Sequence, residues 1–196
     1  MSAALLQDAN KQHTIADDLE SALHVLTWTT LRYVPHKMPP LLLTLHLRKV
    51  YDEFDTLTGT GGGTKGDKLG SQNYIPHVLE FRRPSPLLDL LKTMSDPFVA
   101  VYGGKPVQIM KRALQYTQMQ DQKTFLENLH FMHDDRLACS KSPEWFQKTI
   151  ETALNKPLWP LDDASLALPD PVQPDKRPRS PSVPASNEVK FPKHHS

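Results

Sequence analysis

The chain has 196 residues, enough for one domain with a core, and its 38% hydrophobic and 23% charged residues are typical of globular proteins rather than coiled coils or acidic disordered chains. With 23 basic and 22 acidic side chains the formal net charge is +1, so the sequence predicts no general electrostatic attraction to nucleic acid or to an anionic membrane. The single cysteine, Cys139, excludes an internal disulfide and a structural zinc site built from cysteines, which favours an intracellular protein, cytoplasmic or nuclear.

A short first helix is predicted over residues 1–8. Its apolar part, residues 1–6, lacks the charged n-region and the long apolar run of a signal peptide. The longest apolar candidate in the chain, residues 41–45, is far shorter than the roughly 20 residues needed to cross a bilayer. We therefore expect a soluble protein with no membrane partner.

A second helix is predicted to begin after Thr14, the expected N-cap, and to end at Pro35. Asp17 stands three residues after Thr14, where the reciprocal partner of a capping box is expected. Residues that recur at helical spacing predict the buried face of this helix: Ile15, Leu19, Ala22, Leu26, Thr30 and Tyr33. Leu26 lies in the middle of that face.

A third helix is predicted over about residues 40–54, with four apolar side chains available for one face: Leu42, Leu45, Val50 and Phe54. The glycine-rich residues 56–67 predict a flexible loop. Residues 61–66 match the G-x-G-x-x-G pattern of phosphate-binding loops, but no strand is predicted before them and residues 67–70 do not begin a helix convincingly. The flexible-loop interpretation is therefore favoured, and no strand pair is predicted in the chain.

Pro86 is expected to open a helix with five apolar side chains: Leu87, Leu88, Leu90, Leu91 and Met94. Further helical patterns cover residues 107–118 and 123–132. Ser142 followed by Pro143 is a strong start signal for a last helix, whose apolar residues are Trp145, Phe146, Ile150 and Leu154.

Five potential metal ligands follow one another near the end of the 123–132 pattern: His130, His133, Asp134, Asp135 and Cys139. The two histidines would share one helix face, but Cys139 is expected to lie beyond the end of the helix. The favoured interpretation is a solvated helix terminus, and no metal ligands are predicted.

The composition changes near Lys156, because residues 156–196 contain nine of the 18 prolines of the chain. Proline at this density removes backbone donors and opposes helix formation. We therefore divide the chain into a helical body, residues 1–155, and a proline-rich disordered tail, residues 156–196, of which residues 158–161 are expected to dock on the body.

The run Asp17-Asp18-Leu19-Glu20-Ser21 opens the second helix, Arg32-Tyr33-Val34-Pro35 closes it, and Met1-Ser2-Ala3-Ala4-Leu5-Leu6 precedes it. In this order the three elements resemble the C-terminal lobe of the fungal-type protein kinase domain. The resemblance implies a mainly α fold, the helical C-lobe of a protein-kinase-like fold, over residues 1–155.

The resemblance also implies structural roles for Asp18, Glu20, Ser21, Arg32 and Tyr33. Asp18 corresponds to the buried aspartate that binds the catalytic-loop backbone from the start of the central helix. The first six residues correspond to the end of the activation segment, where kinases have Ala-Pro-Glu. Here Ala3 takes the proline position and Ala4 the glutamate position, which puts the usual anchoring ion pair in doubt.

An intact relative would use ATP and Mg²⁺ to phosphorylate Ser or Thr hydroxyls. This sequence contains no His-Arg-Asp or Asp-Phe-Gly motif and no glycine-rich loop with a strand lysine, so no catalytic, cofactor-binding or metal-binding residue is predicted. We expect a kinase-domain fragment that lacks the ATP-binding lobe and catalytic loop and transfers no phosphate by itself. Since the catalytic loop is missing, Asp18 is expected to face solvent or cap its own helix.

Two other interpretations remain open. The first is a non-catalytic helical scaffold or partner-binding module, derived from a kinase C-lobe, on which a protein partner or substrate docks. The second is an unrelated helical adaptor that carries the motif by coincidence.

Overall fold

The computed structural model of the chain describes residues 1–75, 85–104 and 119–159. For residues 119–123 it describes the backbone only. The helices are α1 (Ala3–Gln7), α2 (Ile15–Tyr33), α3 (Pro40–Tyr51), α4 (Gly63–Gly70), α5 (Pro86–Tyr102), α6 (Met119–Cys139) and α7 (Pro143–Leu154), and the strands are β1 (Phe54–Asp55) and β2 (Thr60–Gly61). The predicted mainly helical character is confirmed for these residues. No helix among them is long and apolar enough to cross a membrane. The helix predicted over residues 107–118 and the tail after residue 159 lie outside the described ranges.

Helix α5 lies at the centre of the fold, where it packs against α2, α4, α6 and α7. The predicted start at Pro86 is confirmed, and the Ser85 hydroxyl caps the helix by accepting from the Leu87 N–H at 3.2 Å. The most deeply buried apolar and aromatic side chains come from several elements and form one core: Leu23, Leu31, Val50, Leu69, Tyr74, Leu91, Met94 and Phe98.

Helix α7 begins as predicted, since Ser142 Oγ accepts from the Trp145 N–H at 3.1 Å. Phe146 is buried, but Leu154 is 61% exposed, so the predicted apolar face does not extend to the last turn. The expected docking after the helix is confirmed for Trp159, which packs against the core and donates from Nε1 to the Ala153 carbonyl at 2.8 Å. Trp159 thus belongs to the packed body although it follows residue 155.

Helix α6 is longer than the predicted 123–132 pattern, because it continues to Cys139. The expectation that Cys139 lies beyond the helix end was therefore wrong. The Arg136 guanidinium binds the Asp96 carboxylate of α5 through both oxygens, with Nε and Nη2 at 2.8 and 2.7 Å. This paired contact holds the extra turns of α6 against α5.

Helix α2 buries a different face from the predicted one. Its buried residues are Asp17, Glu20, Leu23, His24, Thr27, Thr30 and Leu31. Of the predicted face only Thr30 is buried, whereas Leu19 and Leu26 are half-buried, Ala22 is exposed, and Ile15 and Tyr33 are 50% and 43% exposed. The prediction failed because Asp17, Glu20 and His24 find hydrogen-bond partners outside α2, which spacing along one helix does not reveal.

Helix α3 ends at Tyr51, three residues before the predicted end, and buries Leu47 and Val50. Three of the four side chains expected on its buried face are instead exposed, because Leu42 and Leu45 are 50% and 52% exposed and Phe54 is 63% exposed in β1. Among the described helices α3 packs mainly against α4. Only a narrow stripe of α3 is therefore covered.

Residues 56–59 form a turn, but the predicted loop over residues 56–67 is wrong from residue 60 onward, where β2 and the start of α4 lie. Strands β1 and β2 pair in antiparallel register, Phe54 with Gly61 and Asp55 with Thr60, so the expected absence of a strand pair was also wrong. Helix α4 begins directly afterwards, and the Glu53 carboxylate caps it by accepting from the Thr64 N–H at 2.7 Å.

Two glycines allow α4 to pack closely against neighbouring helices. Gly62 lies within the glycine-rich residues 61–66, and Gly70 is the last residue of α4. Gly62 has φ +77°, and a Cβ there would lie 2.9 Å from Leu6 Cβ in α1. A Cβ at Gly70 would lie 2.8 Å from the Tyr102 carbonyl carbon at the end of α5. The glycines thus let α4 pack between α1 and α5, which no local turn signal indicates.

Candidate functional site

The Glu20 carboxylate is the centre of a buried polar cluster under α1. Glu20 is only 2% exposed although it lies in the first turns of a surface helix. Its Oε1 accepts from the Ala3 N–H at 2.7 Å, and its Oε2 accepts from the Tyr102 hydroxyl at 2.6 Å. Glu20 therefore joins the start of the chain to the end of α5.

Asp17 makes a second connection from α2 to the start of α1. Its Oδ1 accepts from the Ser2 hydroxyl at 2.7 Å, and its Oδ2 accepts from the Lys11 ammonium and from the Thr14 N–H, the latter at 2.9 Å. Ser2 also caps α1 by accepting from the Leu5 N–H at 3.2 Å. Thr14 is thus the N-cap as predicted, while Asp17 does more than the capping role expected for it.

These bonds determine the charge of Asp17. Burial would raise the pKa of its carboxyl group, but the hydrogen bonds from Lys11, Thr14 and Ser2 outweigh burial and lower the pKa well below its ordinary value. Asp17 therefore remains ionised at neutral pH and holds Ser2 by a charge-assisted hydrogen bond.

Tyr102 completes the attachment of α1. Its hydroxyl accepts from the Ala4 N–H at 3.0 Å while donating to Glu20. Burial and the Glu20 charge raise the pKa of Tyr102, so the hydroxyl keeps its proton. We name the set Ser2, Asp17, Glu20 and Tyr102 the α1 anchor.

A chain of aromatic and basic groups extends inward from Glu20. His24 Nε2 lies 3.0 Å from Glu20 Oε1, its Nδ1 bonds the Tyr74 hydroxyl, and the Tyr74 and Tyr51 hydroxyls are 3.0 Å apart. Because both Glu20 oxygens accept hydrogen bonds, we assign the His24 proton to Nε2, with Tyr74 donating to Nδ1 and Tyr51 donating to Tyr74. Burial raises the pKa of both tyrosines and lowers the pKa of His24.

Lys65 of α4 supplies positive charge beside this chain of groups. It is 5% exposed, and its ammonium lies 5.5 Å from the centroid of the Tyr51 ring. Burial lowers the pKa of Lys65, and the Glu20, Asp52 and Glu53 carboxylates oppose that shift. The positive charge of the buried Lys65 is therefore offset in part by the negative charge of the buried Glu20.

The arrangement holds backbone groups through buried polar side chains. Every fully buried side-chain nitrogen or oxygen in the described ranges has a hydrogen-bond partner. No group of three or more potential metal ligands occurs in those ranges, and the His130 to Cys139 set does not assemble there. The cluster is suited to fixing the N-terminus of α1 on α2 and α5.

The five residues to which the family resemblance gives structural roles do not form one site in the structure. Asp18 has a 65% exposed side chain beside His13, as expected for a solvent-facing residue. Ser21 donates to the Asp17 carbonyl at 2.6 Å within its own helix. Of the five, only Glu20 belongs to the α1 anchor.

Arg32 and Tyr33 form an aromatic cluster with Trp28 near the other end of α2. The Arg32 guanidinium lies 5.2 Å from the centroid of the Trp28 ring, and Tyr33 meets the same ring edge-on at 6.3 Å. Twelve residues of helix, about 18 Å, separate Arg32 from Glu20, so this cluster cannot contribute to the α1 anchor.

Sequence reasoning missed His24, Lys65, Tyr74 and Tyr102. His24 had a detectable signal, because it follows Glu20 by four residues on the same helix face. Tyr102 had none, because 82 residues separate it from Glu20. No protein-family model, curated protein or solved structure matches the chain.

We expect His24 to make stability depend on pH. Burial holds the pKa of His24 below its ordinary value and lowers that of His46 to about 4, whereas both titrate near 6.5 when unfolded. On acidification the unfolded chain therefore binds protons that the folded chain does not, so this stability is present above pH 6.5 and is lost as the pH falls. Both histidines therefore contribute to a loss of stability between pH 7 and pH 5.

Urea denaturation at both pH values measures this effect. His24→Gln and His46→Gln should each reduce the difference in unfolding free energy between pH 7 and pH 5. His130→Gln is the matched control, because His130 is exposed. An unchanged pH difference in His24→Gln would contradict the assignment of a neutral buried imidazole.

Proposed function

We propose that this chain carries the helical C-lobe of a fungal-type protein kinase domain and serves as a docking lobe that transfers no phosphate by itself. In the resemblance, α1 is the end of the activation segment and α2 is the central helix. The observation that supports the proposal is the α1 anchor, in which Asp17 and Glu20 of α2 hold Ser2 and the Ala3 N–H. A substrate-docking segment must be held in one conformation for a partner to be positioned on it.

The anchor also accounts for the departure from Ala-Pro-Glu. Kinases attach this segment through the glutamate side chain, whereas alanine occupies that position here. In this chain the Ala4 backbone N–H binds the Tyr102 hydroxyl, which in turn donates to Glu20. The attachment therefore needs no charged side chain at position 4.

The lack of phosphotransfer by these 196 residues follows from chemistry that the sequence does not supply. Transfer of a phosphoryl group needs a base for the hydroxyl, ligands for Mg²⁺ and a lysine on the phosphates. No His-Arg-Asp or Asp-Phe-Gly motif is present to provide the first two. Charge on the transferring group would therefore have no stabilising partner.

The proposal is tested by supplying the missing part in trans. A polypeptide with the ATP-binding lobe and catalytic loop of a fungal-type protein kinase domain should bind residues 1–196 in calorimetry. The 196-residue chain alone should neither bind Mg²⁺-ATP nor phosphorylate a generic substrate. Failure of the two polypeptides to associate, or turnover by the purified chain alone, would refute the proposal.

Asp18 provides a sharper version of the same test. It is exposed here and corresponds to the carboxylate that binds the catalytic-loop backbone in the family. Asp18→Asn should weaken binding to the trans polypeptide by about 10-fold or more, since hydrogen bonds to charged groups contribute about 1.5–3 kcal/mol. Asp134→Asn, at another highly exposed aspartate, is the control and should change the affinity less than about 2-fold.

A partner-binding module unrelated to catalysis is the second candidate. The exposed surface of α3 favours it, since Leu41, Leu42 and Leu45 are 70%, 50% and 52% exposed on one side of the helix. Retention of a protein partner that does not require Asp18 would favour this alternative over the kinase-lobe proposal.

A further inference from the structure

A groove of about 290 Å³ runs between α5 and α7, away from the α1 anchor. Its floor contains the buried side chains of Leu90 and Ala153, and the half-buried Trp145 lines it as well. Lys148 and Lys156 lie at its rim and are exposed. The groove therefore combines an apolar floor with two positive charges.

The chain returns to a residue of this groove after α7. Leu158 has a positive φ of 81°. Trp159 then packs against the core, and its indole N–H binds the carbonyl of Ala153, a residue of the groove floor. Trp159 is thus attached to a residue that lines the groove.

The sequence that follows Trp159 complements the groove. Residues 161–168 are Leu-Asp-Asp-Ala-Ser-Leu-Ala-Leu, with two adjacent acids and three leucines. Asp162 and Asp163 follow Trp159 by three and four residues, and four residues of extended chain span at most about 14 Å, which is enough to reach the rim lysines. Since the segment is tethered, its effective concentration at the groove is on the order of millimolar.

The rim lysines are available for such acids. Lys156 approaches Asp89 at 3.5 Å, but both side chains are largely exposed, so this ion pair is easily exchanged. Lys148 forms no ion pair with any other residue in the ranges that the structure describes. Binding of Asp162 and Asp163 would thus neutralise two charges while the leucines cover the apolar floor.

We propose that residues 161–168 of this chain dock in the α5–α7 groove as an intramolecular occupant, with Asp162 and Asp163 on Lys148 and Lys156. Any external ligand of the groove must then displace the segment. The proposal is independent of the kinase resemblance, because it uses neither the α1 anchor nor Asp18.

Hydrogen–deuterium exchange of the full chain tests the docking. Backbone amides of residues 162–168 should exchange at least about 10-fold more slowly than those of residues 176–196 in the same molecule. The double substitution Asp162→Lys with Asp163→Lys should remove this protection. Asp170→Lys with Asp175→Lys adds the same charge outside the segment and should leave the protection unchanged.

A charge swap then identifies the surface. Adding Lys148→Glu and Lys156→Glu to the variant with lysines at positions 162 and 163 should restore slow exchange of residues 162–168. Equal exchange of residues 162–168 and 176–196 in the unmodified chain would overturn the proposal. Protection that appears only with dimerisation in sedimentation would assign the groove to a second copy and would also overturn it.

Discussion

Glu20→Ala is expected to lower the free energy of unfolding by about 2–5 kcal/mol, because hydrogen-bond donors that its carboxylate satisfies are left without an acceptor. The substitution removes the acceptor of the Ala3 N–H and of the Tyr102 hydroxyl, and each donor left buried without a partner costs about 1–3 kcal/mol. It also removes a carboxylate whose charge favours the protonated form of the 5% exposed Lys65. The three effects act on the same few atoms and do not add fully.

Urea denaturation with matched variants separates these causes. Glu20→Gln keeps the volume but replaces one acceptor oxygen with a donor, so it should still destabilise, by less than Glu20→Ala. Asp18→Asn changes an exposed acid two residues away and should alter stability by about 0.5 kcal/mol or less. A larger loss for Asp18→Asn than for Glu20→Ala would show that the buried carboxylate has been assigned to the wrong residue.

Leu23→Ala is expected to cost about 2–5 kcal/mol, since its side chain is 0% exposed in the core and its removal leaves a cavity. Leu26, which the sequence places in the middle of the buried face, is only half-buried. Leu26→Ala should therefore cost less, about 1 kcal/mol, because fewer contacts are lost and the site is open to water.

The comparison between the two leucines decides which face of α2 is buried. Both variants change the same number of atoms on the same helix, so helix propensity cancels in the difference. Midpoints and slopes of urea transitions give both free energies under identical conditions. If Leu26→Ala proves the more destabilising, the predicted face is right and the packing of α2 described above is wrong.

Local signals in the sequence were sufficient to predict where several helices begin. Thr14, Ser85 with Pro86, and Ser142 with Pro143 act within a single helical turn, so the starts of α2, α5 and α7 could be predicted without knowledge of the rest of the fold. The mainly helical character and the docking of Trp159 followed from similarly short-range patterns of apolar residues.

Tertiary structure alone decided which polar residues are buried and whether the glycine-rich segment is ordered. Glu20 can be buried because Tyr102, 82 residues away, supplies a hydroxyl, and a carboxylate without such partners would remain in water. Likewise α4 forms in glycine-rich sequence because Glu53 caps it and Gly62 and Gly70 let it approach α1 and α5. Helical spacing identifies apolar faces, but the stabilisation of a buried charge depends on groups that only the folded chain brings within hydrogen-bond distance.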